Sequence, residues 1–175
     1  MTVNEITWRR VEHGIINEPL VDYLEGLIEA QLELGNTLKL CIGTDSQVKG
    51  KGFKYATAII LEMKQPMGIV AGKMTYKGLG AKVISGVFFE KQLPRIKQRM
   101  LKEVQLSINV GYHLLDLVEV YDVEMEIHAD VNPKETAGSN VAMKEAIGFM
   151  TGMGFKYKVK PDAYAASSGA DKLCQ

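Results

Sequence analysis

Three stretches with the composition of β-strands, Leu38–Gln47, Phe53–Met63 and Met67–Tyr76, follow one another with almost no chain between them. Their links, Lys49-Gly50-Lys51-Gly52 and Lys64-Gln65-Pro66, are short and carry glycine or proline, so each strand must turn back on the one before. Two hairpins in succession make an antiparallel meander, and the rest of the chain has to be built on that sheet. Gly78 to Gly86 then reads as a glycine-rich mobile loop. Its Gly78-Leu79-Gly80-Ala81-Lys82 is not a phosphate loop, because no Gly-Lys-Ser/Thr follows.

Beyond the loop, helix and strand patterns alternate. A helix is expected from about Glu90 to Leu117, with Leu93, Met100, Val104, Ile108, Gly111 and Leu115 as its core stripe. Tyr121–Val131 alternates as a strand, with Glu124, Glu126, His128 and Asp130 on one side, and Asn132-Pro133 ends it. A helix from about Ser139 to Gly152–Gly154, a short strand Phe155–Lys160 and a small-residue helix Ala163–Leu173, capped by Asp162, complete the chain. Ahead of the meander lie one short strand around Ile6–Val11 and a helix capped by Asn17. That helix has a core stripe of Leu20, Leu24, Leu27, Ile28 and Leu34, and an acidic outer face of Glu18, Asp22, Glu25, Glu29 and Glu33.

This order specifies an α/β fold: a mixed five-stranded sheet, three antiparallel strands followed by parallel additions, with helices on both faces. At 175 residues the chain fits one domain, with 1–36 as an N-terminal extension. Its 21 basic and 21 acidic residues cancel, so nucleic-acid binding has to rest on local patches. Cys41 and Cys174 have neither the number nor the spacing of a disulfide framework or zinc site, and read as free thiols in a reducing compartment. No run is apolar enough to span a bilayer or serve as a signal peptide, so a cytoplasmic location is expected, with no membrane partner.

Asp45 closes the first meander strand with no basic residue within three positions on either side. In the expected sheet that strand is central, and the fourth strand enters parallel beside it, bringing Asp130 next to Asp45. Glu103 borders the core stripe of the first crossover helix, and Asp171 lies on the last helix, whose small residues permit a close approach to the sheet. Carboxylates gathered this way repel unless a cation neutralises them, and hard oxygen donors select Mg2+ or Mn2+. Two such ions, about 3.5–4 Å apart in known sites, serve in-line phosphodiester displacement. Each acid also has an ordinary alternative: a turn for Asp45 and Asp130, a helical ion pair with Arg99 for Glu103, and an exposed partner of Lys172 for Asp171. His128 shares the strand face of Asp130 and reads either as a proton shuttle or as a histidine satisfied within the sheet. Phosphates are the expected partners of the basic run that includes Arg95, Arg99 and Lys102, with Lys49 and Lys51 on the first hairpin as a second candidate.

Gly43-Thr44-Asp45-Ser46-Gln47, an acid on the first crossover helix, His128-Ala129-Asp130 and Ser168-Gly169-Ala170-Asp171 together resemble the ribonuclease H-like fold. More narrowly, His128-Ala129-Asp130-Val131-Asn132-Pro133 and Lys160-Pro161-Asp162-Ala163-Tyr164-Ala165-Ala166-Ser167 resemble the YkuK-type family of bacterial proteins, over about residues 37–175. The resemblance implies a two-metal nuclease site with Asp45, Glu103, Asp130 and Asp171 in the four acidic roles. Its substrate would be RNA, an RNA–DNA hybrid or branched DNA. The alternative is a non-catalytic module of the same fold that binds nucleic acid or a protein partner. An actin-like ATPase, suggested by Ile42-Gly43-Thr44-Asp45, lacks a second phosphate loop and the necessary length.

Overall fold

The computed structural model describes residues 2–11, 14–91, 95–131 and 137–174. A 3-10 turn, Val3–Glu5, leads into two short strands, β1 (Trp8–Arg10) and β2 (Gly14–Ile15), and then helix α1 (Leu20–Glu33). Pro19 takes the N-cap position of α1. The meander follows as β3 (Thr37–Lys49), β4 (Gly52–Val70) and β5 (Lys73–Glu90). Helices α2 (Ile96–His113) and α3 (Leu115–Val120) cross over to β6 (Glu124–Ala129). Helix α4 (Ala137–Gly152) leads to β7 (Lys156–Val159), and the chain closes with a π-helical segment, Ala165–Ala170, that runs into α5 (Asp171–Cys174).

The seven strands form one sheet in the order β2-β1-β5-β4-β3-β6-β7. β3 is antiparallel to β4 and parallel to β6, which is itself parallel to β7. The mixed α/β class is the one the sequence specifies, with seven strands in place of five because β1 and β2 extend the sheet beyond β5.

Two segments depart from the sequence reading. The second hairpin does not turn at Lys64-Gln65-Pro66. β4 runs on through Pro66 to Val70, and the turn falls at Ala71-Gly72, both with positive φ (50° and 76°). That is the conformation of a tight two-residue hairpin turn, which alanine seldom occupies, so the sequence conceals it. The irregularity between Pro66 and Gly68 absorbs the proline where β3 no longer pairs with β4, and a second falls between Glu62 and Lys64 at the end of that pairing. Gly78–Gly86, expected as a loop, is consequently part of β5. The second departure is the last helix, which is π-helical over Ala165–Ala170, with Tyr164 rather than Asp162 at its N-cap.

The long crossover helix, expected from about Glu90, starts only at Ile96, because Glu90 pairs with Phe53 as the last residue of β5, and it breaks at Leu114; residues 92–94 and the Asn132-Pro133 stop lie outside the described residues. The main core joins Leu40 and Ile42 of β3 to Leu24 and Ile28 of α1, Val104 and Ile108 of α2 and Met150 of α4. On the opposite face a smaller cluster of Cys41, Ile60 and Ala165 seats the π segment. Among the described residues no helix is long and apolar enough to cross a membrane.

Candidate functional site

Strand register creates the first pair of acids. Thr44 of β3 stands opposite Ala129 of β6, and the next residue on each chain is a carboxylate, Asp45 and Asp130. Alternation along β3 then divides its neighbours between the two faces. Thr44 and Ser46 face α2, where Ser46 Oγ donates to Glu103 Oε1 at 2.5 Å and Thr44 Oγ1 lies 2.9 Å from Ser107 Oγ. The Thr44 hydroxyl also meets Thr57 Oγ1 at 2.9 Å, so buried hydroxyls lock the register of α2 beneath Glu103. On the other face Gln47 Nε2 donates to Asp171 Oδ1 at 3.0 Å, and Cys174 Sγ donates to the Asp45 carbonyl at 3.2 Å.

The π segment can reach β3 because Gly43 has no side chain: a Cβ there would lie 2.3 Å from the Ala166 nitrogen. Close seating of this backbone on the sheet carries Asp171 to the end of β3. The small residues of the last helix thus act as the sequence suggested.

Asp45 and Glu103 feel the neighbouring acids. Burial first, then the charges of Asp130 and Asp171, push Asp45 up to about 6, against the Ser46 N–H and Arg99, which favour its ionised form. Glu103 is only 6% exposed. Burial pushes its carboxyl up to about 8, with Asp45 and Asp130 adding to the rise and the Ser46 hydroxyl and Arg99 opposing it. Burial therefore favours the protonated form of Glu103 at neutral pH.

Two internal cations reach the acids. Lys160 Nζ lies 2.6 Å from Asp130 Oδ1, an ion pair without hydrogen-bond alignment. Arg99 Nε lies 3.6 Å from Glu103 Oε1, the helical pair available from the sequence, and its guanidinium also sits 5.4 Å from the centre of the Phe53 ring. Lys102 is drawn to Glu90 at 2.5 Å and lies over Tyr55 and Phe88. Of the basic residues expected to meet phosphates, Lys49, Lys51 and Arg95 are exposed. Ser46, Gln47, Ser107 and Lys160 are the site residues that sequence reasoning missed. For the first two, the alternation around Asp45 was the available signal.

His128, in register with Gly43, lies on the same sheet face as Asp45, but its ring is engaged away from the acids. Among the described residues, Cys41, Glu126 and His128 are the triad whose donor atoms all lie within 4.8 Å of one another, and no three of the four acids close to that spacing. The triad has the composition of a soft-metal site, but its protons are already allocated. His128 Nδ1 accepts from the Ala165 N–H at 3.1 Å, which places the ring proton on Nε2, 3.4 Å from Glu126 Oε2. Glu126 is paired with Lys39 at 2.7 Å. Tyr164 donates its proton to Glu62 at 2.6 Å, leaving the Cys41 thiol as donor to Tyr164 at 3.0 Å. Burial pushes that thiol up to about 11 and holds His128 below its ordinary value. Two hydrogen-bond chains, Cys41–Tyr164–Glu62 and Lys39–Glu126–His128–Ala165, pin the π segment to the sheet. Both cysteines are buried free thiols.

The sheet order, the parallel β3–β6 pair and the acids at its end describe one class of protein. The chain belongs to the ribonuclease H-like family, whose description, Ribonuclease H-like, matches residues 24–175. It is similar, at 27% identity over 147 residues, to the uncharacterized protein YkuK of Bacillus subtilis (strain 168), with 77% of each chain covered. No solved structure matches the chain.

Proposed function

We propose that this protein is a metal-dependent nuclease that hydrolyses phosphodiester bonds in RNA, RNA–DNA hybrid or branched DNA. Asp45, Glu103, Asp130 and Asp171 would hold Mg2+ or Mn2+. What supports this reading is that Asp45 lies within electrostatic reach of Glu103, Asp130 and Asp171 near the end of the parallel β3–β6 pair, with Asp45 and Glu103 driven toward protonation by burial first and by neighbouring acids second. A donor set of carboxylate oxygens, with no thiolate or imidazole among them, fits those two metals. When bound, such ions supply Lewis-acid stabilisation of a phosphoryl oxygen and an acidified water as nucleophile.

The chain's own residues supply the rest. Ser46 holds the Glu103 carboxylate in place and favours its ionised form. Gln47 orients Asp171. Exposed Lys49, Lys51 and Arg95 offer charge to a phosphate backbone. Arg99 and Lys102, already stacked and paired, shape the rim. His128 has no part in this reading, since both ring nitrogens are engaged elsewhere. We read residues 1–175 as one domain, with 1–36 as an N-terminal extension whose strands β1 and β2 lengthen the sheet at its β5 edge and whose acidic amphipathic helix α1 packs on the core.

The test is cleavage of the three substrate types with Mg2+ and Mn2+ over a wide salt range. Asp45→Asn should abolish activity while leaving thermal stability in EDTA unchanged or higher, because it relieves carboxylate repulsion. Undiminished cleavage by that variant excludes the assignment. A second reading, a non-catalytic module of the same fold, is favoured by one observation: Lys160 and Arg99 already place cations against Asp130 and Glu103. Titration with Mn2+ separates the two, since the module binds none at these acids.

A further inference from the structure

A two-stranded arm leaves the sheet at the end remote from the acids. β3 last pairs with β4 at Thr37–Lys64, and from there to the Ala71-Gly72 turn β4 has only β5 beside it. The seven residues Lys64–Val70, at about 3.3 Å each, carry the arm roughly 20 Å past the meander. Ile69 and Met74 stand opposite each other across the ribbon, with Tyr76 on the same face. All three are open to solvent, Ile69 to 69%. An isolated ribbon has no core of its own, and an open apolar face on one marks a surface that is covered in use.

Charge identifies the cover. Between Glu62 and Glu90 there is no acid, while Lys64, Lys73, Lys77 and Lys82 all lie exposed. Between Arg10 and Lys39 there is no Lys or Arg, and α1 exposes Asp22, Glu29 and Glu33. In a chain whose charges cancel overall, the arm and α1 are opposite poles. The acidic pole has apolar ground as well: Leu34 is 71% exposed, and so is Val120 at 75%, beside Tyr121, whose hydroxyl binds Glu25 and Glu29.

We propose that the arm docks on the acidic α1–α3 face of a second copy of this chain, each copy supplying one arm and one face in a two-fold dimer. The apolar face of the ribbon seals against Leu34 and Val120, and the lysines steer the approach and set its orientation. Nucleic acid would satisfy the lysines but would leave Ile69, Met74 and Tyr76 in water. The root of the arm is also eight residues of β3, roughly 26 Å, from Asp45.

Sedimentation equilibrium of the full chain in EDTA tests this, with circular dichroism as the check on folding. The wild type should dimerise, more weakly as salt rises. Ile69→Asp with Met74→Asp should weaken dimerisation at least tenfold with secondary structure retained. Lys73→Glu with Lys77→Glu should also weaken it, and adding Asp22→Lys with Glu33→Lys to that same chain should restore it. A wild type that stays monomeric at every concentration overturns the proposal, as does a dimer indifferent to the arm substitutions. Failure of the charge reversal to restore association excludes α1 as the docking face. Arm variants that lose affinity for a duplex RNA probe while sedimenting as wild type assign the arm to nucleic acid instead.

Discussion

Ser46 Oγ donates a 2.5 Å hydrogen bond to Glu103 Oε1, so the residue that follows Asp45 on the strand holds the neighbouring acid on the helix. The bond favours the ionised carboxylate inside a buried site that otherwise favours the neutral one. Ser46→Ala should therefore raise the Glu103 pKa further. The expected result is Mn2+ affinity weakened about tenfold at pH 7 and recovering toward wild type near pH 9, with a stability loss of about 1 kcal/mol. Isothermal titration across that range measures it, and a pH-independent loss would mean that Ser46 acts on shape rather than on protonation.

Stability of the metal-free protein should depend on pH in a direction opposite to that of most salt-bridged carboxylates. Asp45 and Glu103 have folded-state values of about 6 and about 8, above their ordinary 3.8 and 4.5. Below about pH 3 both groups are largely protonated in either state and neither affects folding. As pH rises the unfolded chain ionises first while the folded chain keeps its protons, so stability falls until Glu103 has ionised near pH 8. Melting temperatures in EDTA should decline from pH 5 to pH 8 in the wild type. Glu103→Gln should flatten the upper part of that decline and Asp45→Asn the lower, and a Glu103→Gln curve parallel to wild type counts against the assignment.

The adjacency of Asp45 and Asp130 is legible in the sequence because it follows from strand order: three antiparallel strands and a crossover leave the fourth strand parallel to the first. Glu103 at the border of a helical stripe and Asp171 beyond a run of small residues are legible to the same extent, since hydrophobic period and side-chain size are local properties. What depends on tertiary contact is not legible. Ala71 accepts a positive φ because β4 and β5 pair along their length, not because its own preference asks for it. His128 has a strand position like that of Asp130, yet its ring is claimed by the Ala165 N–H, thirty-seven residues away in sequence. Lys160 likewise reaches Asp130 only because β7 packs beside β6.

The contact between Gly43 and Ala166 gives a direct handle on Asp171. A methyl group at position 43 would sit 2.3 Å from the Ala166 nitrogen and 2.6 Å from the Ala165 carbonyl carbon, and both are backbone atoms that cannot rotate aside. Gly43→Ala should cost about 1–3 kcal/mol in urea unfolding and weaken Mn2+ binding by displacing the segment that carries Asp171. Gly148→Ala in α4, where an added Cβ meets nothing within 4 Å, is the control and should be neutral or stabilising by up to about 1 kcal/mol. Equal effects of the two substitutions would show that the close approach at Gly43 does not govern the site.

Lys160 separates a structural ion pair from a place-holder for the metal. Its ammonium lies 2.6 Å from Asp130 Oδ1, while Asp130 in turn raises both Asp45 and Glu103. Lys160→Met removes a competing cation from a would-be metal ligand. It also leaves a largely buried carboxylate oxygen without its partner, at a cost of about 1 kcal/mol given the half-exposed lysine. In EDTA the variant should melt below wild type. With saturating Mn2+ the deficit should vanish, and the Mn2+ dissociation constant should fall by roughly three- to tenfold, since binding no longer has to displace the ammonium. Paired thermal melts with and without Mn2+ give the answer. A deficit that persists in metal would make Lys160 a fixed partner of Asp130, and the site a module that neutralises its own acids.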